Sequence, residues 1–141
     1  MRLTVEVEGE GEAGGLPGEG AALVAFMSFA AVRGFGARHP LIALSERVAD
    51  LGVRLGPLTT FYERRPEDAE DEANLERAWQ DAAPLAASLG TLVAALAEDE
   101  RAAVFVRRAG AETLAAEAAA MRAIAERAGR AKRRVRLTYE L

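Results

Sequence analysis

The acidic segment from residue 63 to residue 81 carries the side chains with the clearest potential for chemistry. It holds eight acidic residues against three arginines. If the segment is helical, the side chains that gather on one side of the helix are Glu63, Glu67, Glu70 and Asp71. Carboxylates placed in this way can hold Mg²⁺ or Mn²⁺, because both ions prefer oxygen ligands. One hypothesis is therefore a Mg²⁺- or Mn²⁺-dependent phosphohydrolase that uses these acids as metal ligands.

Within this segment, Glu67 and Glu70 form an ExxE pair. The pair resembles the first carboxylate pair of the all-α nucleotide pyrophosphohydrolases, which carry an ExxD pair on a later helix. No ExxD occurs in this chain. Acids are also common at the start of a helix, where they interact favourably with the positive end of the helix dipole. We therefore expect a solvated helix start and rank the metal site third among the functional hypotheses.

A basic stretch near the end of the chain is the second candidate. Residues 121–136 hold seven basic residues against Glu126 alone. The candidates for contact with an anion or a partner are Arg127, Arg130, Lys132, Arg133, Arg134 and Arg136. Phosphate contacts by such residues make binding steeply dependent on salt. Nucleic acid or another polyanion is therefore a possible partner, although Tyr139 is the only aromatic residue nearby that could stack on a base.

The single histidine lies on a glycine-rich connection, in the sequence Arg33 to Pro40. The spacing of Arg33 and His39 resembles that of the Arg and His pair of HEPN-type ribonucleases. In those enzymes both residues lie at one helix end, whereas Gly34, Gly36 and Pro40 interrupt a helix here. We expect His39 to be a turn residue that precedes a helix starting at Pro40, where the missing N–H of proline is tolerated.

Several classes of site are disfavoured by residue content. The chain has no cysteine, which excludes disulfides, thiolate metal ligands and cysteine nucleophiles. The string Gly9-x-Gly11-x-x-Gly14 has the form of a dinucleotide fingerprint, but Glu10 and Glu12 would repel a pyrophosphate. We therefore expect a flexible loop over residues 9–20, no cofactor and no catalytic residue that can be assigned.

The two ends of the chain carry the clearest strand patterns. Apolar and polar residues alternate over residues 2–8 and again over 134–141. We expect the two strands to pair, either within one chain or between two copies, because an isolated strand pair is marginally stable in water. Glu6 and Glu8 facing Arg134 and Arg136 would favour this pairing by a few tenths of a kcal/mol per pair.

The residues between these strands, 21–131, have mainly helical patterns. An apolar run over 21–32 predicts a buried helix, and a stripe from Leu41 to Leu55 predicts a second. The stripe from Leu75 to Leu96 continues past Pro84, which predicts a kinked helix or two helices roughly in line. Residues 99–109 fit a helix or a strand, and we favour a helix capped by Asp99 and ended by Gly110.

Together these patterns predict one domain over residues 1–141 with an α+β, predominantly α, fold. It is a bundle of four to five helices with a small sheet formed by the N- and C-terminal strands. Since no uncharged apolar run is long enough to span a bilayer, and no signal peptide is visible, we expect a cytoplasmic protein without a membrane partner. Abundant Ala and a ratio of 17 Arg to 1 Lys indicate a GC-rich bacterial genome.

The preferred functional hypothesis is a non-enzymatic interaction, assembly or accessory protein that associates with itself or with another protein. Ala-rich helix faces let helices approach closely but leave few large side chains in each interface, and a second copy often completes such a core. Binding of nucleic acid or a polyanion through the basic stretch is the alternative, and the metal-dependent phosphohydrolase is the third.

Overall fold

Four strands and six helices form the described part of the protein, which in this computed structural model is residues 1–32 and 39–141. The strands are β1 (Arg2–Val7), β2 (Gly11–Glu12), β3 (Phe61–Glu63) and β4 (Val135–Glu140). The helices are α1 (Ala21–Ala31), α2 (Pro40–Asp50), α3 (Ala69–Arg77), α4 (Ala82–Glu98), α5 (Glu100–Ala109) and α6 (Leu114–Arg130). The prediction of a predominantly helical α+β fold is confirmed, with six helices in these ranges rather than four or five.

The terminal strands β1 and β4 form the centre of one sheet. They pair antiparallel within the same chain, from Arg2 opposite Glu140 to Val7 opposite Val135. The strand order is β2-β1-β4-β3, and β3 runs parallel to β4. The edge strands β2 and β3 were not predicted, because two or three residues are too few to show an alternating pattern.

One face of the sheet lies against the helices. Leu3, Val5 and Val7 of β1 and Val135 and Leu137 of β4 are buried on this inner face, and both α1 and α6 contact β1. Because successive side chains of a strand point to opposite faces, the intervening polar residues lie on the outer face. The alternation in the sequence therefore predicts correctly which face of each strand is buried.

The predicted stripe from Leu75 to Leu96 forms two separate helices, α3 and α4. Between them, the backbone of Gln80 exchanges two hydrogen bonds of 2.9 Å with that of Val135 in β4. Pro84 lies in the first turn of α4 and does not kink it, since the first N–H groups of a helix have no partner within the helix. The helix is thus interrupted between α3 and α4 where the backbone of Gln80 pairs with β4.

Residues 100–109 form a helix, as favoured from the sequence. The Asp99 side chain caps α5 by accepting a hydrogen bond of 2.9 Å from the backbone N–H of Ala102. Gly110 ends the helix with a φ of 64°, in the left-handed region that glycine adopts without strain. Asp99 and Gly110 therefore begin and end this helix, as the sequence predicts.

The helices pack in two main pairs, α4 with α6 and α2 with α5. At the first contact, a side chain at Gly90 of α4 would lie 3.1 Å from the guanidinium carbon of Arg122 on α6. None of the helices within residues 1–32 and 39–141 is long and apolar enough to cross a membrane.

Candidate functional site

The six basic residues predicted as one binding stretch lie on three different elements. Arg127 and Arg130 are in the last turns of α6, Lys132 to Arg134 form the turn that follows, and Arg136 is on β4. The fold therefore divides the basic stretch into two groups, one facing β1 and one at the end of α6.

The group that faces β1 is held in ion pairs with the N-terminal acids. Arg136 Nε lies 2.6 Å from Glu6 Oε2, and Arg134 Nη2 lies 2.5 Å from Glu8 Oε2. Arg133 donates a hydrogen bond of 2.8 Å to the backbone oxygen of Glu8. The prediction that Glu6 and Glu8 face Arg136 and Arg134 is confirmed. Both arginines therefore form ion pairs with acids of the same chain.

Arg136 is the most enclosed of these arginines. Its Nη1 donates a hydrogen bond of 3.0 Å to the backbone oxygen of Leu75 in α3. Its guanidinium carbon lies 4.4 Å from the ring centre of Trp79, a cation–π distance. One side chain thus joins β1, β4 and the connection between α3 and α4, and this role is structural.

A closed ring of four charged side chains lies at the other end of the outer sheet face. Arg2 and Arg64 each pair with both Glu12 and Glu140. The hydrogen bond from Arg64 lowers the pKa of Glu12, and the same bond raises the pKa of Arg64. The charges of the ring balance, so this part of the face presents little net charge to a ligand.

The remaining basic group comprises Arg127, Arg130 and Lys132 at the end of α6. All three are exposed, and none forms an ion pair with a residue in the described ranges. Positive side chains are stabilised at this position by the negative end of the helix dipole. Of the predicted anion site, these three are the residues that form no ion pair with the described part of the chain.

The acidic segment does not form the continuous helix on which its candidate metal ligands would share one side. Glu63 belongs to β3, Glu67 precedes α3, and only Glu70 and Asp71 lie on that helix. Asp68 caps α3 by accepting a hydrogen bond of 2.9 Å from the Asp71 N–H. In turn, the Asp71 side chain accepts one of 3.1 Å from the Glu67 N–H. This placement corrects the predicted helix, since capping by Asp68 starts α3 after Glu67.

No group of three or more His, Cys, Asp or Glu side chains within residues 1–32 and 39–141 is arranged to hold a metal ion. The proposed ligand set of Glu63, Glu67, Glu70 and Asp71 therefore has no supporting geometry in this structure. Near the start of α3, the Asp68 carboxylate instead caps the helix, and the Asp71 carboxylate accepts a hydrogen bond from the Glu67 N–H just before it.

His39 is the cap of α2, as its place before Pro40 predicted. Its Nδ1 accepts a hydrogen bond of 3.1 Å from the Leu41 N–H, and its ring stacks on Phe29 at a centroid distance of 4.1 Å. Arg33, whose spacing from His39 was considered above, lies outside the described residues. His39 thus has two structural roles: its side chain caps α2, and its ring packs on Phe29.

Glu117 is a buried charged residue that sequence reasoning did not single out. It lies on the packed face of α6 with 1% of its surface exposed. Its Oε1 accepts a hydrogen bond of 3.1 Å from the Leu23 N–H in the first turn of α1. The carboxylate therefore serves the positive end of a neighbouring helix. In the sequence, the burial of Glu117 is indicated only by its spacing of three residues from Leu114 and four from Met121, which places it on the apolar stripe of the helix.

A groove runs beside α4 in the described part of the chain. Two adjoining cavities of about 570 Å³ and 290 Å³ share Thr91 as a lining residue. We call them the α4 groove. Its helix side is formed by Ala83, Ala87, Thr91, Ala94 and Glu98, and its other side by Leu51, Gly52, Arg54 and Pro57.

The α4 groove is lined mainly by small or apolar side chains that are open to solvent. Ala83, Ala87 and Ala94 are exposed, and Leu51 is 41% exposed. The charged residues Arg54 and Glu98 line its two ends, and neither forms an ion pair with another residue of the described part of the chain. The sequence predicted close helix approach at Ala-rich faces, but not which of these faces lacks a neighbour.

No family model, curated protein or solved structure matches this chain. A functional assignment therefore depends on the arrangement of its own residues.

Proposed function

We propose that this chain is a cytoplasmic, non-enzymatic interaction protein that associates with itself and contributes to an assembly. The observation that carries the proposal is the α4 groove, where small apolar side chains of a long helix face solvent. Burying such a surface against another helix is favourable, at roughly 25 cal/mol per Å² of apolar area removed from water.

The charged surfaces support the same proposal by their arrangement. The arginines near β1 are engaged with Glu6, Glu8 and Glu10, and the ring at the opposite end of the sheet has no net charge. A polar ligand is thus offered few free groups on the sheet, whereas the α4 groove offers apolar surface. An assembly role would use the exposed apolar surface of the α4 groove.

The test is the absolute mass in solution, measured by size-exclusion chromatography with light scattering over a range of protein concentrations. We expect a species of at least twice the monomer mass, whose fraction grows with concentration. Because the expected contact is mainly apolar, the larger species should persist at high salt. A monomer at every concentration would contradict self-association.

A second candidate function, binding of a polyanion such as nucleic acid, is favoured by the exposed group Arg127, Arg130 and Lys132. We expect this binding to weaken steeply between about 50 and about 200 mM salt, because phosphate contacts release counterions. Replacing the three residues with Ala should flatten the dependence of affinity on salt, measured with a labelled oligonucleotide. The matched control replaces the exposed α5 arginines Arg101, Arg107 and Arg108. Affinity that is insensitive to salt would exclude this function.

A further inference from the structure

We propose that the α4 groove is occupied by α4 of a second copy of this chain, running antiparallel about a twofold axis near Thr91. This inference rests on the proposed function, because it requires self-association, and it specifies the surface and the orientation. The partner is thus an identical subunit, and the interface is one in which both copies use the same residues.

The length and the side chains of the groove fit a helix. From Ala83 to Glu98 the helix side spans about 22 Å at about 1.5 Å per residue. Small residues recur at Ala83, Ala87, Thr91 and Ala94, which are spacings of three and four that place them on one side. Helices that meet through side chains of this size can approach to about 8 Å between axes.

The ends of the groove determine the orientation. Arg54 lines the cavity beside Ala83 and Ala87, near the start of α4, whereas Glu98 lies at the end of the same helix. An antiparallel second copy brings its Glu98 to Arg54 of the first, and the twofold axis repeats this pair. It also places the positive end of each helix dipole beside the negative end of the other. A parallel pair would bring like charges together.

The experiment is a charge exchange followed by sedimentation velocity and light scattering. Arg54→Glu and Glu98→Arg each place two like-charged pairs in the proposed interface, so we expect each to raise the dimer dissociation constant by about tenfold or more. The double variant restores two opposite-charge pairs and should dimerise close to wild type. Glu112→Arg is the matched control, since Glu112 is exposed on the connection before α6 and should leave dimerisation unchanged.

A size change tests the close helix approach separately from charge. Ala87→Trp places a large side chain in the larger cavity of the groove, one helical turn from Thr91, and we expect it to prevent dimerisation. Ala87 is exposed, so the monomer can accept the change. Far-ultraviolet circular dichroism and urea unfolding of each variant establish that a loss of dimer is not a loss of fold.

The outcomes separate the two proposals. A wild-type monomer at every concentration overturns both. A wild-type dimer that tolerates Ala87→Trp and both single charge reversals overturns the α4 interface while self-association stands. If the single reversals weaken the dimer and the double variant does not recover, the antiparallel orientation is wrong. Recovery in the double variant, with an unaffected control, supports the interface as proposed.

Discussion

The outer face of the sheet and the α4 groove differ in whether their charged side chains are paired. On the sheet, arginines and glutamates from both ends of the chain pair with one another. Arg136 also donates a hydrogen bond to the backbone oxygen of Leu75 and packs on the indole ring of Trp79. In the groove, Arg54 and Glu98 form no ion pair with a residue of the described ranges. The charges at the chain ends therefore help to hold the sheet together, whereas the few charges that line the α4 groove contribute no ion pair to the described part of the fold.

This contrast has a consequence for mutagenesis. Substitutions in the paired network should alter the free energy of unfolding, whereas substitutions in the groove should alter self-association and leave the monomer stable. Four predictions test how buried or paired polar groups affect the free energy of unfolding, and the charge exchange at Arg54 and Glu98 tests the second half of the contrast.

The largest effect is expected at Glu117. Glu117→Ala removes the acceptor of the Leu23 N–H and leaves a cavity at the start of α1, so we expect a loss of about 3 kcal/mol in the free energy of unfolding. Glu117→Gln should lose less, because its amide oxygen can still accept the bond. Urea unfolding measures both, with the exposed Glu112→Ala as control. Equal midpoints for Glu117→Ala and the control would contradict a supporting role.

A smaller loss, about 2 kcal/mol, is expected for Arg136→Ala. The substitution removes the pair with Glu6, the hydrogen bond to Leu75 and the contact with Trp79. Arg134→Ala, two residues earlier in the chain, is the matched control, because the ion pair of Arg134 with Glu8 is half exposed and should matter little. If both variants unfold at the same urea concentration, enclosure of Arg136 does not determine stability.

The paired threonines at the centre of the outer face are expected to have an opposite effect. Thr4 and Thr138 face each other, are 4% and 0% exposed, and their hydroxyls have no hydrogen-bond partner among the described residues. Replacing both with Val removes two unsatisfied groups and should raise the free energy of unfolding by about 1 kcal/mol. Thermal and urea unfolding measure the change. A loss of stability would mean that these hydroxyls are satisfied in solution.

The smallest effect is expected in acid, at Asp99. Two hydrogen bonds from Arg47 and one from the Ala102 N–H lower the pKa of Asp99 from 3.8 to about 2. Because the pKa is lower in the folded state, the stabilisation is complete above the ordinary value and is lost as the pH falls from 3.8 towards 2.

Asp99→Ala should therefore be less stable than wild type near neutral pH, and the difference should shrink below pH 3.8. Urea unfolding across this pH range measures it. Glu100→Ala is the control, since Glu100 is an exposed acid in the first turn of the same helix. A difference that stays constant down to pH 2 would contradict the assigned role of the carboxylate.

Much of the architecture was set by local sequence. Strict alternation predicted β1 and β4 and their buried faces, and the cross-strand pairs of Glu6 and Glu8 followed from that pairing. The end signals of α5, Asp99 and Gly110, and the start of α2 at Pro40 were also read correctly. These features depend on backbone preferences and on contacts between residues a few positions apart, so they are visible in the sequence without any knowledge of the fold.

Only the tertiary structure decided which polar groups are already satisfied. The sequence predicts one anion site over the basic stretch. In the fold, however, ion pairs with acids of β1 and of the residues just after it engage Arg133, Arg134 and Arg136. The short strand β3, the break at Gln80 and the burial of Glu117 likewise arise from contacts between distant parts of the chain, which no local pattern encodes. The α4 groove is of the same kind, because an Ala-rich helix face looks alike in sequence whether a neighbouring helix covers it or not.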